Sequence, residues 1–107
     1  MSMLIPDEIL QTIPPLYSQE NKKGDAIAYV KLFTPDSNFT WYILEIDEDN
    51  DLCFGYVVAH FNEYGYFTLL ELESLRGPLN LKVERDIYFK PTKISEIIAE
   101  SITRQVS

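Results

Sequence analysis

From Ala26 to Thr68 the chain repeats one pattern: a segment rich in aromatic and β-branched residues, then a short polar break. Breaks this short join neighbouring antiparallel strands; a parallel pair needs a crossover of a dozen residues or more. The spacing predicts strands over Ala26–Phe33, Phe39–Ile46 and Leu52–Phe61, with a fourth opening at Tyr66–Thr68. Thr34-Pro35-Asp36, the polar run from Asp47 to Asp51, and Asn62 to Gly65 are the predicted turns. The third segment is apolar at both parities, which predicts a central strand covered on both faces. Leu81–Phe89 reads as irregular or as a further strand.

Helical signals flank this meander. Pro6 to Ile13 predicts an opening helix, with Pro6 at its first position, Asp7 and Glu8 near the positive end of its dipole, and Pro14-Pro15 as its stop. Tyr17 to Asp25 is polar and predicts a surface loop. Thr68-Leu69-Leu70-Glu71 matches a capping box, so a short helix is expected over Leu69–Leu75, closed by Gly77 in a left-handed cap before Pro78. Thr92 is the expected N-cap of a last helix running to about Gln105. Its stripe of Ile94, Ile97, Ile98 and Ile102 should pack on the sheet. The 107 residues suffice for one domain. The expected fold class is α+β: an antiparallel sheet of four or five strands with N-terminal, short central and C-terminal helices packed on one face.

Charge narrows the function. The chain carries 9 basic and 17 acidic residues, a formal net charge of -8, which repels phosphate and disfavours direct binding to nucleic acid or an anionic membrane. Between Leu32 and Leu75 stand nine of the acids and no Lys or Arg. This stretch should project a one-signed negative field. Its bland role is solubility; its sharper one is a surface for a basic protein partner, centred on Glu45, Asp47, Glu48, Asp49 and Asp51. No apolar run approaches the ~20 residues of a membrane span, and the N-terminus lacks the basic and apolar regions of a signal peptide. A cytoplasmic protein is expected, in keeping with a single cysteine.

Catalytic and metal motifs are sparse. Asp47, Asp49 and Asp51 resemble the opening of a calcium loop, but Leu52 stands where its glycine belongs and Val58 where its bidentate Glu belongs. Cys53 and His60 lie seven apart, on opposite faces of the expected strand, which disfavours a nucleophile–base pair. The glycines are too scattered for a phosphate-binding loop, and one His and one Cys make a weak metal-ligand set, so no cofactor or metal is expected. One other constellation concentrates acids and arginines around Gly77-Pro78: Glu73, Arg76, Glu84, Arg85 and Asp86. It is either an ion-pair network fixing the segment or an alternative site, in which a small enzyme or small-molecule binder would use Glu71 to Asp86.

Leu16-Tyr17, Phe33-Thr34-Pro35, Trp41-Tyr42, Phe54-Gly55, Gly65-Tyr66-Phe67, Glu71-Leu72-Glu73, Arg76-Gly77-Pro78-Leu79, Glu84-Arg85-Asp86 and Phe89 together resemble a known family. It is a domain-of-unknown-function family of small acidic bacterial proteins often carried by plasmids, conjugative elements and phages. The resemblance runs from Pro6 to Phe89, with Gly65 to Phe89 its most specific part. It implies a single-domain protein of mobile DNA and no transferable activity. Taken with the charge, the expectation is a non-enzymatic interaction module that binds a basic partner, one version being nucleic-acid mimicry against host defence.

Overall fold

A computed structural model describes residues 4–106. The fold is α+β. Five antiparallel strands form the main sheet in the order β5-β4-β3-β2-β6: β2 Val30–Phe33, β3 Thr40–Ile46, β4 Leu52–Val58, β5 Asn62–Thr68 and β6 Glu84–Arg85. A two-stranded sheet pairs β1 (Ile27–Ala28) with β7 (Thr92–Lys93). The helices are α1 (Asp7–Leu10), α2 (Leu69–Ser74) and α3 (Ile94–Val106).

Strand alternation divides the core into two layers, so the helices cover both faces of the sheet rather than one. Trp41, Ile43, Cys53 and Phe67 point to one face, where Leu10 of α1 and Leu69 and Leu72 of α2 pack on them. Leu44 and Tyr56 point to the other and meet Ile94 and Ile97 of α3 together with Ala26 and Ala28. Ile98 is half-buried in that layer, whereas Ile102, fourth in the expected stripe, is 57% exposed and does not join it. β3 is the central and most buried strand; β4 is interior beside it.

Several local expectations are corrected. The first expected strand breaks at Tyr29, whose N–H bonds to the Ile43 carbonyl, and its two halves join different sheets. The third ends at Val58, and Asn62 to Gly65 is strand, not turn; the reversal lies at Ala59-His60-Phe61. Pro6 is extended and caps α1 from outside. Thr92 belongs to β7 and gives its hydroxyl to the Lys90 carbonyl, so it does not cap α3. Thr68 caps α2: its hydroxyl accepts from the Glu71 N–H at 3.1 Å, the first half of the expected capping box. The returning Glu71 carboxylate meets the Thr68 hydroxyl at 2.9 Å.

Gly77 does not take the left-handed conformation; α2 ends at Ser74 with Leu75 extended, and Asn80 carries the positive φ of 65°. Glycine is required there for space. A Cβ at Gly77 would overlap the Asp36 carboxylate, which reaches across from the β2–β3 turn and accepts from the Leu79 N–H at 2.7 Å.

Candidate ligand-binding site

The site begins with a β-bulge. Ile43 pairs with Gly55, yet Glu45 pairs with Phe54, so Leu44 is the extra residue on β3. Strict alternation would have aimed Glu45 into the apolar layer with Trp41 and Ile43. The bulge turns it to the opposite face, beside Phe54, and returns Ile46 to the core. Glu45 is only 4% exposed, and its two carboxylate oxygens accept from the backbone N–H groups of Tyr17 and Gln19, both at 2.8 Å. Such charge-assisted bonds satisfy a carboxylate that burial would otherwise disfavour.

These bonds shape the segment that was expected to be a plain surface loop. Tyr17 sits at φ 72°, a strained position for a bulky residue. Its bond to Glu45 offsets that cost. Gln19 is buried. Its Nε2 donates to the carbonyls of Ile27 and Leu44 at 2.9 and 2.8 Å, and its Oε1 accepts from the Ile27 N–H at 2.7 Å. One amide side chain thus ties the loop to β1 and to the bulge, and Gly24 packs against Ser95 at the start of α3.

Between this loop and the sheet lies a cleft of about 480 Å³. Its walls are aromatic: Tyr17 from the loop, Phe54 from β4, and Tyr64 and Tyr66 from β5. Phe54 stacks on Tyr64 with centroids 6.0 Å apart and meets Tyr66 at 5.0 Å. Glu45 contributes to the inner wall, while Glu20 and Lys23 also line the cleft. The Tyr66 hydroxyl is held above its ordinary pKa, first by desolvation, then by its hydrogen bond to Tyr17 and by the negative charges of Glu45 and Glu20. Tyr64 is raised too, by desolvation and by the neighbouring Tyr56. Aromatic faces combined with carboxylates suit a cationic group.

The acidic tip is more structural than expected. Glu45 is buried, and the Asp47 carboxylate accepts from the N–H groups of Asp51 and Leu52, both at 3.0 Å. Asp51 accepts from the Leu70 N–H at 2.9 Å and so fastens α2 to the β3–β4 turn. Glu48 and Asp49 are exposed. Of the five acidic residues expected to centre a partner surface, Glu45, Asp47 and Asp51 thus use their carboxylates to hold backbone.

The alternative constellation is not brought together around Gly77. Arg76 turns back to the carbonyls of Glu73 and Leu75. Glu84, Arg85 and Asp86 instead line a separate cleft of about 670 Å³ with Lys31, Ser37 and Tyr88. Lys31 pairs there with Asp86 at 3.8 Å, and the other Asp86 oxygen accepts from the Tyr88 N–H, so Lys31 and Asp86 are engaged within the chain. Cys53 faces the opposite layer from the aromatic cleft and is buried. His60, in the β4–β5 turn, lies edge-on to Phe39. Among the described residues no cluster of three metal-ligating side chains occurs and no helix is long and apolar enough to cross a membrane.

Sequence reasoning missed Tyr17, Gln19, Phe54, Tyr64 and Tyr66. A signal for two of them was present: Tyr64 and Tyr66 share one parity, which marks one face of a strand, but Tyr64 read as part of a turn and only Tyr66 as strand. What the fold and cleft define is a small α+β domain with an aromatic, carboxylate-containing cleft. The chain belongs to the family described as Protein of unknown function (DUF2958), which matches residues 4–105 and so takes in α3 as well as the sheet. Comparison with curated proteins and with solved structures found no match.

Proposed function

We propose that this protein is a non-enzymatic binding module for a basic protein partner, and that the cleft between the Tyr17–Gly24 loop and the sheet receives a Lys or Arg side chain of that partner. The observation that carries the reading is the juxtaposition of Tyr17, Phe54, Tyr64 and Tyr66 with the carboxylates of Glu45 and Glu20 in one cleft. A cation over an aromatic face gains about 0.5–1 kcal/mol when exposed and about 2 when desolvated. The acidic stretch around it adds long-range attraction, which speeds encounter with a basic surface. Carriage by mobile DNA is compatible with this role and is part of the proposal. Mimicry of nucleic acid has less support, because three of the five tip carboxylates are tied to backbone.

The test is an NMR titration with the N-acetylated, C-amidated heptapeptide TVTKTVT and its counterparts carrying Arg or Glu at the centre. The Lys and Arg peptides should shift the ring resonances of Phe54, Tyr64 and Tyr66, and more weakly at high salt. Glu20→Gln, a change at an exposed side chain, should weaken binding. Equal binding of the Glu peptide, or shifts confined to other surfaces, would overturn the proposal.

A further inference from the structure

The two ends of the main sheet are finished differently. One side closes with β6, only two residues long, which is a common way to blunt an edge. The other closes with β5, seven residues long, whose sequence NEYGYFT contains no Pro and no Lys. Among the described residues β5 pairs with β4 alone.

The hydrogen-bond phase of that edge follows from one contact. The Leu69 N–H donates to the Asp51 carbonyl, so that pair is hydrogen-bonded, and in an antiparallel ladder the bonded pairs recur at every second residue. Glu63, Gly65 and Phe67 therefore bond inward to Val57, Gly55 and Cys53, with which they are in register. The Asp47 N–H to Leu52 carbonyl bond on the other side of β4 fixes the same phase independently. It follows that Tyr64 and Tyr66 direct their backbone N–H and C=O groups outward from the sheet. These are the residues whose side chains line the cleft.

Resting on the binding function proposed above, we infer that the basic partner is received as an extended segment that adds a sixth strand to β5, bonding to the backbone of Tyr64 and Tyr66 while one of its cationic side chains reaches the cleft. An added strand lies about 4.8 Å from β5, and its cross-strand side chains sit about 5 Å from those they face. A Lys or Arg opposite Tyr64 or Tyr66 would thus lie within the roughly 6 Å over which an aromatic face attracts a cation. Backbone bonds supply affinity without regard to sequence, and the cleft supplies the choice of side chain. Charge selects this occupant over a second copy of the chain. Two molecules of formal charge -8 repel, and β5 brings Glu63 rather than a basic residue to the edge.

The experiment uses TVTKTVT with a single N-methyl group placed at each position in turn, against the 107-residue chain. Methylation at residues whose N–H faces β5 should weaken binding about two- to tenfold, and methylation at the alternate residues should not, giving a period of two. On binding the unmethylated peptide, amide hydrogen exchange should slow at Tyr64 and Tyr66 but change little at Gly65 and Phe67. Binding that depends on Glu20 but shows neither the period of two nor the Tyr64 and Tyr66 protection would overturn strand addition and leave the side-chain cleft standing. Failure of both basic peptides to bind would overturn both. Protection of the same amides by self-association, seen as a dimer in sedimentation without peptide, would assign the edge to a second copy and overturn the inference.

Discussion

Replacing Gln19 by Ala tests whether a single buried amide holds the Tyr17–Gly24 loop on the sheet. The side chain makes three hydrogen bonds, two to carbonyls and one from an N–H, and all three partners are backbone groups of Ile27 and Leu44. Each is worth about 0.5–1.5 kcal/mol net, and a partner left buried and unpaired costs about 1–3 kcal/mol. Ile27 is half-buried, so water can reach its groups after truncation; Leu44 is buried and its carbonyl is harder to satisfy. Together these give a loss of about 3 kcal/mol, within a total stability of about 5–15 kcal/mol for a domain of this size. With a urea slope of about 2 kcal/mol/M, the midpoint should fall by about 1.5 M. Trp41 is the sole tryptophan and is 7% exposed, so its fluorescence reports the transition. Gln19→Glu should fare no better, since it replaces the Nε2 donor with an oxygen facing two carbonyls. A loss below about 0.5 kcal/mol for Gln19→Ala, the scatter of ordinary surface substitutions, would refute the assignment of Gln19 as the tie between loop and sheet.

Two further outcomes are expected. Gly77→Val should cost about 1–3 kcal/mol by displacing the Asp36 carboxylate from the Leu79 N–H, and in a double-mutant cycle with Asp36→Ala the two losses should fail to add; simple additivity would show that Asp36 is not what the new side chain meets. The Cys53 thiol is pushed up to about 12, by burial first and then by Asp51 and Asp47, so the native protein should resist thiol reagents at pH 8 and react only when unfolded. Because the folded value exceeds the unfolded one, the thiol contributes stability below about pH 8.5 that is lost as pH rises toward 12. Rapid modification of the folded chain at pH 8 would contradict this burial.

The elements legible from the amino-acid order alone are those whose signals are local. Polar breaks between aromatic and β-branched segments placed the turn at Thr34-Pro35-Asp36 and the tip at Asp47 to Asp51, and the Thr68 capping box placed the start of α2. Each depends on residues only a few positions apart, so no knowledge of the rest of the chain was needed. Register, face and partner were decided by the tertiary structure, because they depend on what lies across the sheet. Asn62 to Gly65 carries turn-forming residues, yet it is strand because β4 offers it a ladder. Thr92 has the chemistry of a cap, yet Ile27 and Ala28 draw it into a strand. Gly77 looks like a left-handed cap, and its requirement comes instead from Asp36, forty-one positions earlier. Glu45 belongs by parity to the core and by charge to the tip. One inserted residue in β3 turns it to the cleft, where the backbone of Tyr17 and Gln19 can satisfy its charge.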